Sequence, residues 1–172
     1  MGRLHLRWDL ILRAGAIAGI VEVVCGVAMY LGGVYFAPWS GPVSLLVLAL
    51  SIAVAQKWYA ARTAPAPMGY VVAFAVGGLV AAITAMIYVL YNFVSVSFVY
   101  RHFIDQMVNA RFARLRLPSM DQGQANALLD RLRTEITLRA IATANLRFLA
   151  VMGIAAAALL AAFTRRRGSV GR

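Results

Sequence analysis

Four stretches of the sequence are almost continuously apolar and are long enough to cross a lipid bilayer. A spanning helix needs about 20 mainly apolar residues, because the hydrocarbon core is roughly 30 Å thick. The pattern predicts transmembrane helices at residues 14–36, 43–59, 70–99 and 143–163. Two prolines in each of the first two connections interrupt helical hydrogen bonding there. The first run is longer than the apolar core of a cleavable signal peptide, which predicts a retained helix.

A second pattern continues the third run and leads into the fourth. Through residues 100–142, apolar residues keep a helical spacing but alternate with charged ones, as in amphipathic helices. Pro118 ends the first of these helices, since a proline disfavours helical dihedrals in the preceding residue. Two pairs fit a capping box at the start of the next helix: Ser119 with Gln122, and Asp121 with Gln124. We therefore predict that helices three and four extend, without a break, into an extramembrane antiparallel helical hairpin with its tip near residues 117–121.

The composition agrees with a membrane protein and argues against a water-soluble fold. Hydrophobic residues make up 62% of the 172 residues, and charged residues only 13%. A soluble fold of this length has too little interior to hide so much apolar surface. The predicted fold class is all-α, a polytopic protein with four transmembrane helices that form a single membrane domain over residues 1–172.

The distribution of charge predicts an orientation. With four spans, one side of the membrane carries nine basic residues against the single acid Asp9. The nine are Arg3, Arg7, Arg13, Lys57, Arg62, Arg165, Arg166, Arg167 and Arg172. The positive-inside rule places this side, with both termini, in the cytoplasm. Positive charge at the ends of the spans suits the anionic headgroups of the lipid bilayer as a partner, and no motif for nucleic acid is present.

Several short motifs carry a resemblance to a known family. They are Gly69-Tyr70 at the start of helix three, Phe74 followed by Gly77-Gly78, the Tyr88-Val89-Leu90-Tyr91 stretch, and the continuation from Phe98 to Phe103. With the charged loop and basic end that follow, the chain resembles the bacterial membrane-protein family catalogued as domain of unknown function 4199. The resemblance implies a four-span protein of the bacterial inner membrane. It implies no catalytic residues.

Glu22 is the sharpest candidate for a functional residue within the membrane. It falls near the middle of helix one, where a charge costs at least about 2.5 kcal/mol, so it should face protein or water. Three glycines share its face and favour close helix packing: Gly15, Gly19 and Gly26. Thr84 or Ser51, at a similar depth, is expected to hydrogen-bond it. Either Glu22 is a proton or cation site, or it is a neutral acid that fixes helix packing.

Arg111, Arg114 and Arg116 gather near the predicted tip and are candidates for contact with an acidic partner or with lipid headgroups. The hairpin that carries them fits three descriptions. It is an arm for a partner protein, a surface helix on anionic lipid, or a self-packed hairpin with a solvated charged face.

The sequence offers little for catalysis, for metal binding or for a cofactor. Cys25 is the single cysteine, and His5 and His102 are predicted on opposite sides of the membrane. No nucleophile lies in a recognisable catalytic frame, so we expect no enzyme, no metal and no cofactor. The leading hypothesis is an accessory or scaffold protein that binds a membrane-protein partner, or its own copies, or headgroups, through the hairpin. The alternative is a small proton- or ion-linked transport protein that uses Glu22, with Thr84 as the second intramembrane polar candidate.

Overall fold

The computed structural model describes residues 6–64, 68–100 and 102–164, and every regular element in these ranges is helical. The helices are α1 (Trp8–Leu31), α2 (Ser40–Arg62), α3 (Tyr70–Val94), α4 (Phe103–Leu115), α5 (Gln122–Glu135) and α6 (Leu138–Thr164), with a π-helical turn, Ser95–Val99, after α3. Arg3, His5, Arg101 and the arginines after Thr164 lie outside the described residues.

Four helices are long and apolar enough to cross a membrane, which confirms the predicted all-α, multi-pass architecture. They are Trp8–Leu31, Ser40–Arg62, Tyr70–Phe98 and Leu138–Thr164. Large apolar side chains point away from the protein on all four, for example Val54, Leu90 and Phe163, which is 85% exposed. Water would not tolerate such an apolar exterior, whereas lipid does, and helices satisfy their backbone hydrogen bonds without water.

Within the described residues, the chain divides into two compact units. The bundle unit holds α1, α2, α3 as far as Tyr88, and α6 from Leu146 onward. The α4–α5 unit runs over Val89–Asn145.

In the bundle unit, neighbouring helices alternate in direction as an up-and-down chain requires. α1 and α2 are antiparallel: the Arg7 backbone N–H donates to the Tyr59 hydroxyl at one end, and Ser44 Oγ donates to Glu22 Oε1 further along. α3 runs parallel to α1, since Gly15 lies against Ile83 and Gly19 against Ile87.

Small residues let these helices approach closely. A Cβ added at Gly15 would come within 2.7 Å of Ile83 Cβ, so the glycine face of α1 takes another helix, as its spacing predicted. Across the bundle, a Cβ at Gly77 would lie 2.9 Å from Ala157 Cβ, and one at Gly153 would lie 2.6 Å from Ala81 Cβ. In lipid, where apolar burial drives association weakly, such contacts supply the packing energy.

The prediction that helices three and four continue unbroken is wrong, because each is interrupted. After α3, Tyr100 N–H donates to the Ser95 carbonyl at 2.7 Å, one residue further back than in an α-helix, and Tyr100 leaves helical dihedrals (φ −105°, ψ 66°). Ser95 Oγ also donates to the Tyr91 carbonyl, a bond that bends helices. Ile136 (φ −88°, ψ 87°) separates α5 from α6, and Thr137 Oγ1 accepts the Ala140 N–H as an N-cap.

The α4–α5 unit contains two shorter amphipathic helices that contact each other. Of the two predicted capping boxes, the structure forms the one at Asp121. Asp121 Oδ1 accepts the Gln124 N–H at 2.7 Å, and Gln124 Oε1 accepts the Asp121 N–H at 3.3 Å. On the exposed face of α5, the hydrogen bond and charge of Glu135 raise the pKa of Arg131.

We expect Gly153→Ala to destabilise the bundle by about 1–3 kcal/mol, because Ala81 Cβ cannot rotate away and the helices must separate. Gly78→Ala is the matched control, since nothing lies within 4 Å of a Cβ at that position. The measurement is thermal unfolding of both variants in the same detergent. Equal midpoints for the two variants would contradict the close packing of α6 on α3.

Candidate functional site

Glu22 lies inside the bundle unit, on the face of α1 that also carries Gly19 and Gly26. Its side chain is 2% exposed, and Oε1 accepts a hydrogen bond from Ser44 Oγ of α2. Oε2 is buried and has no hydrogen-bond partner within the described part of the chain. In an apolar layer, a carboxyl group with a hydrogen bond to one oxygen and none to the other can bind a proton at the second oxygen.

Thr84, the second intramembrane candidate, is fully buried in α3. Its hydroxyl likewise has no hydrogen-bond partner among the described residues. The expected bond between Glu22 and Thr84 is therefore absent there. Ser51, the alternative partner, instead lines a groove between α1 and α2. The partner of Glu22 is Ser44, which the sequence analysis did not select.

The register of the α1–α2 pair explains this correction. Glu22 and Ser44 are each eleven residues from Gly33, the one described residue with a positive φ (70°). Arg7 and Tyr59, the other bonded pair, are likewise equidistant from Gly33. Counting outward from the glycine turn would have found Ser44, whereas depth estimates from span boundaries did not.

Beyond Glu22 along α1, aromatic rings close the space around the helix end. Gly26 leaves room for the Tyr88 ring, whose Cε2 atom lies 3.4 Å from an ideal glycine Cβ. The Tyr88 hydroxyl lies 3.3 Å from that of Tyr35, in the turn after α1. The Tyr35 ring contacts Tyr30 and Phe36 edge to face. These contacts hold the α1–α2 turn against α3.

A second buried polar group, Gln56 of α2, was missed by the sequence analysis. Its side chain is 0% exposed, and Nε2 donates to the carbonyls of Ala73 at 3.0 Å and Ala157 at 3.3 Å. Its Oε1 accepts from Thr164 Oγ1 at 2.8 Å. This amide thus joins α2, α3 and α6, and Gly77 makes room for it. The available signal was its position four residues after Ile52 on the buried face, since polar residues in spans face inward.

Glu22 and Gln56 therefore differ in how many of their polar side-chain atoms have hydrogen-bond partners among the described residues. Every polar atom of the Gln56 side chain has a partner, which is the arrangement expected of a structural tie. Glu22 and Thr84 each leave one buried oxygen without a partner in the described ranges. Unmatched buried oxygens are costly, so these two are the positions where a bound proton, ion or water would be stabilised.

The three arginines of the α4–α5 unit lie together at the end of α4. Arg111 and Arg114 are in its last turns, and Arg116 follows its last residue. Arg116 Cζ lies 5.9 Å from the centroid of the Phe112 ring. All three arginines are exposed, and so are Leu115 (47%) and Leu117 (61%). The structure thus presents cations and apolar side chains on one short segment.

No group of three His, Cys, Asp or Glu side chains that would hold a metal ion occurs among the residues the structure describes. Comparisons of the chain with protein-family models, with curated proteins and with solved structures find no match. The similarity to the family catalogued as domain of unknown function 4199 stays a prediction.

Proposed function

We propose that this protein is an accessory or scaffold protein of the bacterial inner membrane, with both termini in the cytoplasm. In this proposal α4 and α5 form an antiparallel helical hairpin outside the membrane, and the hairpin docks a membrane-protein partner through an acidic surface. The resemblance to the family catalogued as domain of unknown function 4199 belongs to the same proposal. The observation that carries it is the exposed segment formed by three arginines and two leucines at the end of α4.

The length and polarity of α4 and α5 support a position outside the membrane. They have 13 and 14 residues, fewer than the roughly 20 that a spanning helix needs. Both carry charged residues on exposed faces, and α5 contains the ion pairs Arg131–Glu135 and Asp130–Arg133. Such pairs are stable in water and costly in hydrocarbon.

The chemistry of the exposed segment favours an acidic protein surface. Arginine binds carboxylates through a planar fork of donors, and it is enriched at interfaces. Leu115 and Leu117 add apolar area beside the cations, as an interface core requires. Self-association through the same segment would bring like charges together, so a different partner chain fits better than a homo-oligomer.

The orientation is tested by labelling an introduced cysteine from outside intact cells. In a Cys25→Ser background, Ser119→Cys should react with a membrane-impermeant maleimide, because it lies on the segment joining α4 to α5. Thr63→Cys, at the end of α2, should react only after the cells are opened. Labelling of Thr63→Cys but not of Ser119→Cys in intact cells would show that the orientation is the reverse of the proposed one. If neither cysteine is labelled in intact cells, position 119 is not exposed on the outer side of the membrane.

Reversing the three tip charges should remove the partner. We expect Arg111→Glu, Arg114→Glu and Arg116→Glu together to reduce copurifying protein at least about tenfold, since buried charged contacts are worth roughly 2 kcal/mol or more. The control reverses Arg131, Arg133 and Arg139, which gives the same change in net charge elsewhere in the unit. Quantitative mass spectrometry after crosslinking in membranes provides the readout. If the two triple variants retain the same partners, the docking role of the α4 end is refuted. If both lose the same partners, binding depends on the net charge of the unit and not on the position of the arginines.

A second candidate function, proton- or ion-linked transport, is favoured by the buried oxygens of Glu22 and Thr84 that have no hydrogen-bond partner in the part of the chain that the structure describes. A buried carboxyl exchanges a proton more readily when one oxygen is left without a fixed donor. The Ser44 hydroxyl holds the other oxygen in place.

The transport candidate predicts a proton flux that depends on Glu22. Vesicles with the reconstituted protein and a trapped pH-sensitive dye should lose an imposed pH gradient faster than empty vesicles. Glu22→Gln should reduce this rate to that of empty vesicles, because the amide cannot release a proton. Ser44→Ala, which keeps the carboxyl group, should retain measurable flux. A wild-type rate equal to that of empty vesicles would end the transport candidate and leave Glu22 as a packing residue.

A further inference from the structure

An apolar groove runs along the outside of the bundle unit between α1 and α2. Its cavity volume is about 520 Å³, within the range of ligand-sized pockets. Ile17 and Val21 of α1 and Leu50 and Val54 of α2 line its walls, and Trp58 lies at one end. Ser51 is the one hydroxyl among the lining residues. In a bilayer this groove does not stay empty, because lipid chains fill apolar space.

The end of the groove at Trp58 is positively charged. Arg13 precedes Ala14, a lining residue, and is one helical turn from Ile17. Lys57 follows Val54 by three residues on α2, and Arg62 Cζ lies 5.8 Å from the centroid of the Trp58 ring. All three cations are exposed, and none forms an ion pair within the described residues.

The acid closest in sequence does not offset this charge. Asp9 is paired with Arg7, with Arg7 Nη2 at 2.8 Å from Asp9 Oδ2. Arg7 therefore neutralises the charge of this carboxylate. Arg13, Lys57 and Arg62 remain available to bind an external anion. Tryptophan with basic residues marks the headgroup layer of a membrane.

The length of the groove fits a lipid chain. Its α1 wall runs from Ala14 to Val21 and its α2 wall from Val47 to Trp58, about 10 Å and about 17 Å at 1.5 Å per residue. These lengths are comparable with one leaflet, which is half of a hydrocarbon core roughly 30 Å thick. One acyl chain that enters from the headgroup side and ends within its leaflet fits this length.

We propose that this groove binds one anionic glycerophospholipid, with an acyl chain between α1 and α2 and the phosphate against Arg13, Lys57 and Arg62. The groove supplies the apolar contact, and the three cations supply the preference for an anionic headgroup. This inference is independent of the docking segment at the end of α4 and of Glu22.

Trp58 provides a direct readout, since bromine on an acyl chain quenches tryptophan fluorescence only at contact. The full chain with Trp8→Phe and Trp39→Phe keeps Trp58 as its single tryptophan. It is placed in phosphatidylcholine vesicles that contain a small fraction of either dibrominated phosphatidylglycerol or dibrominated phosphatidylcholine. Fluorescence is divided by that of the same variant in unbrominated lipid. We expect phosphatidylglycerol to bind about threefold more strongly than phosphatidylcholine at Trp58.

Two substitution sets separate the cations from the groove. Arg13→Gln, Lys57→Gln and Arg62→Gln together should reduce the preference to about 1. The same change at Arg131, Arg133 and Arg139 should keep it. Val54→Phe, which fills the groove, should weaken quenching by both lipids, whereas Leu46→Phe, exposed on the same helix outside the groove, should not.

Four results of the quenching experiment would overturn the proposal. They are no preference in the parent protein, a preference that survives the three glutamines, a preference lost equally in the control set, and equal effects of the two phenylalanines. A second copy in the groove is tested separately, with Val21→Cys in a Cys25→Ser background. Efficient oxidation of this variant to a disulfide-linked dimer in vesicles would assign the groove to another chain and also overturn lipid binding.

Discussion

The structure depends on close contact between helices in the hydrocarbon of a bilayer, where no water is present. Because hydrocarbon satisfies no backbone hydrogen bond, each span must be helical, and because lipid is as apolar as leucine, burial alone does not join the helices. Gly15, Gly77 and Gly153 meet this constraint by letting side chains of neighbouring helices approach to contact. The core therefore combines small residues at the closest approaches with large buried side chains such as Ile11, Leu48 and Ile52, and other large apolar side chains face lipid.

Close packing also decides which polar groups the bundle tolerates. Gln56 fits beside Gly77 and ties three helices with all its polar atoms matched, so its burial adds to stability. Within the described residues, only one carboxylate oxygen of Glu22 has a hydrogen-bond partner, Ser44, and the Thr84 hydroxyl on α3 has none. Near the C-terminal end of α2, the polar atoms of Gln56 all have partners. Near its N-terminal end, Glu22 keeps an oxygen without a partner among the described residues, and the second candidate function rests on this group.

The polar part of the chain follows a different physical rule. Between the third and fourth spans, α4 and α5 are short and charged, and the Asp121 side chain caps α5, which are features suited to water. Ser95 and Thr137 end and restart the helices that border this part, so a hydroxyl bonded to the backbone marks each interruption. The α4–α5 unit presents exposed arginines and leucines at the end of α4, whereas the bundle unit presents an apolar groove with basic residues at one end.

By itself the sequence determined the four spans, the glycine face of α1 and a capping box near residue 120, because hydropathy, small-residue spacing and capping are local properties of the chain. Only the tertiary structure decided the partner of Glu22, the network of Gln56 and the breaks at Tyr100 and Ile136. Those features depend on the register and rotation of one helix against another, and on the competition of a serine or threonine hydroxyl for the backbone. Hydrophobic periodicity does not encode either quantity, since several registers and rotations bury the same apolar face.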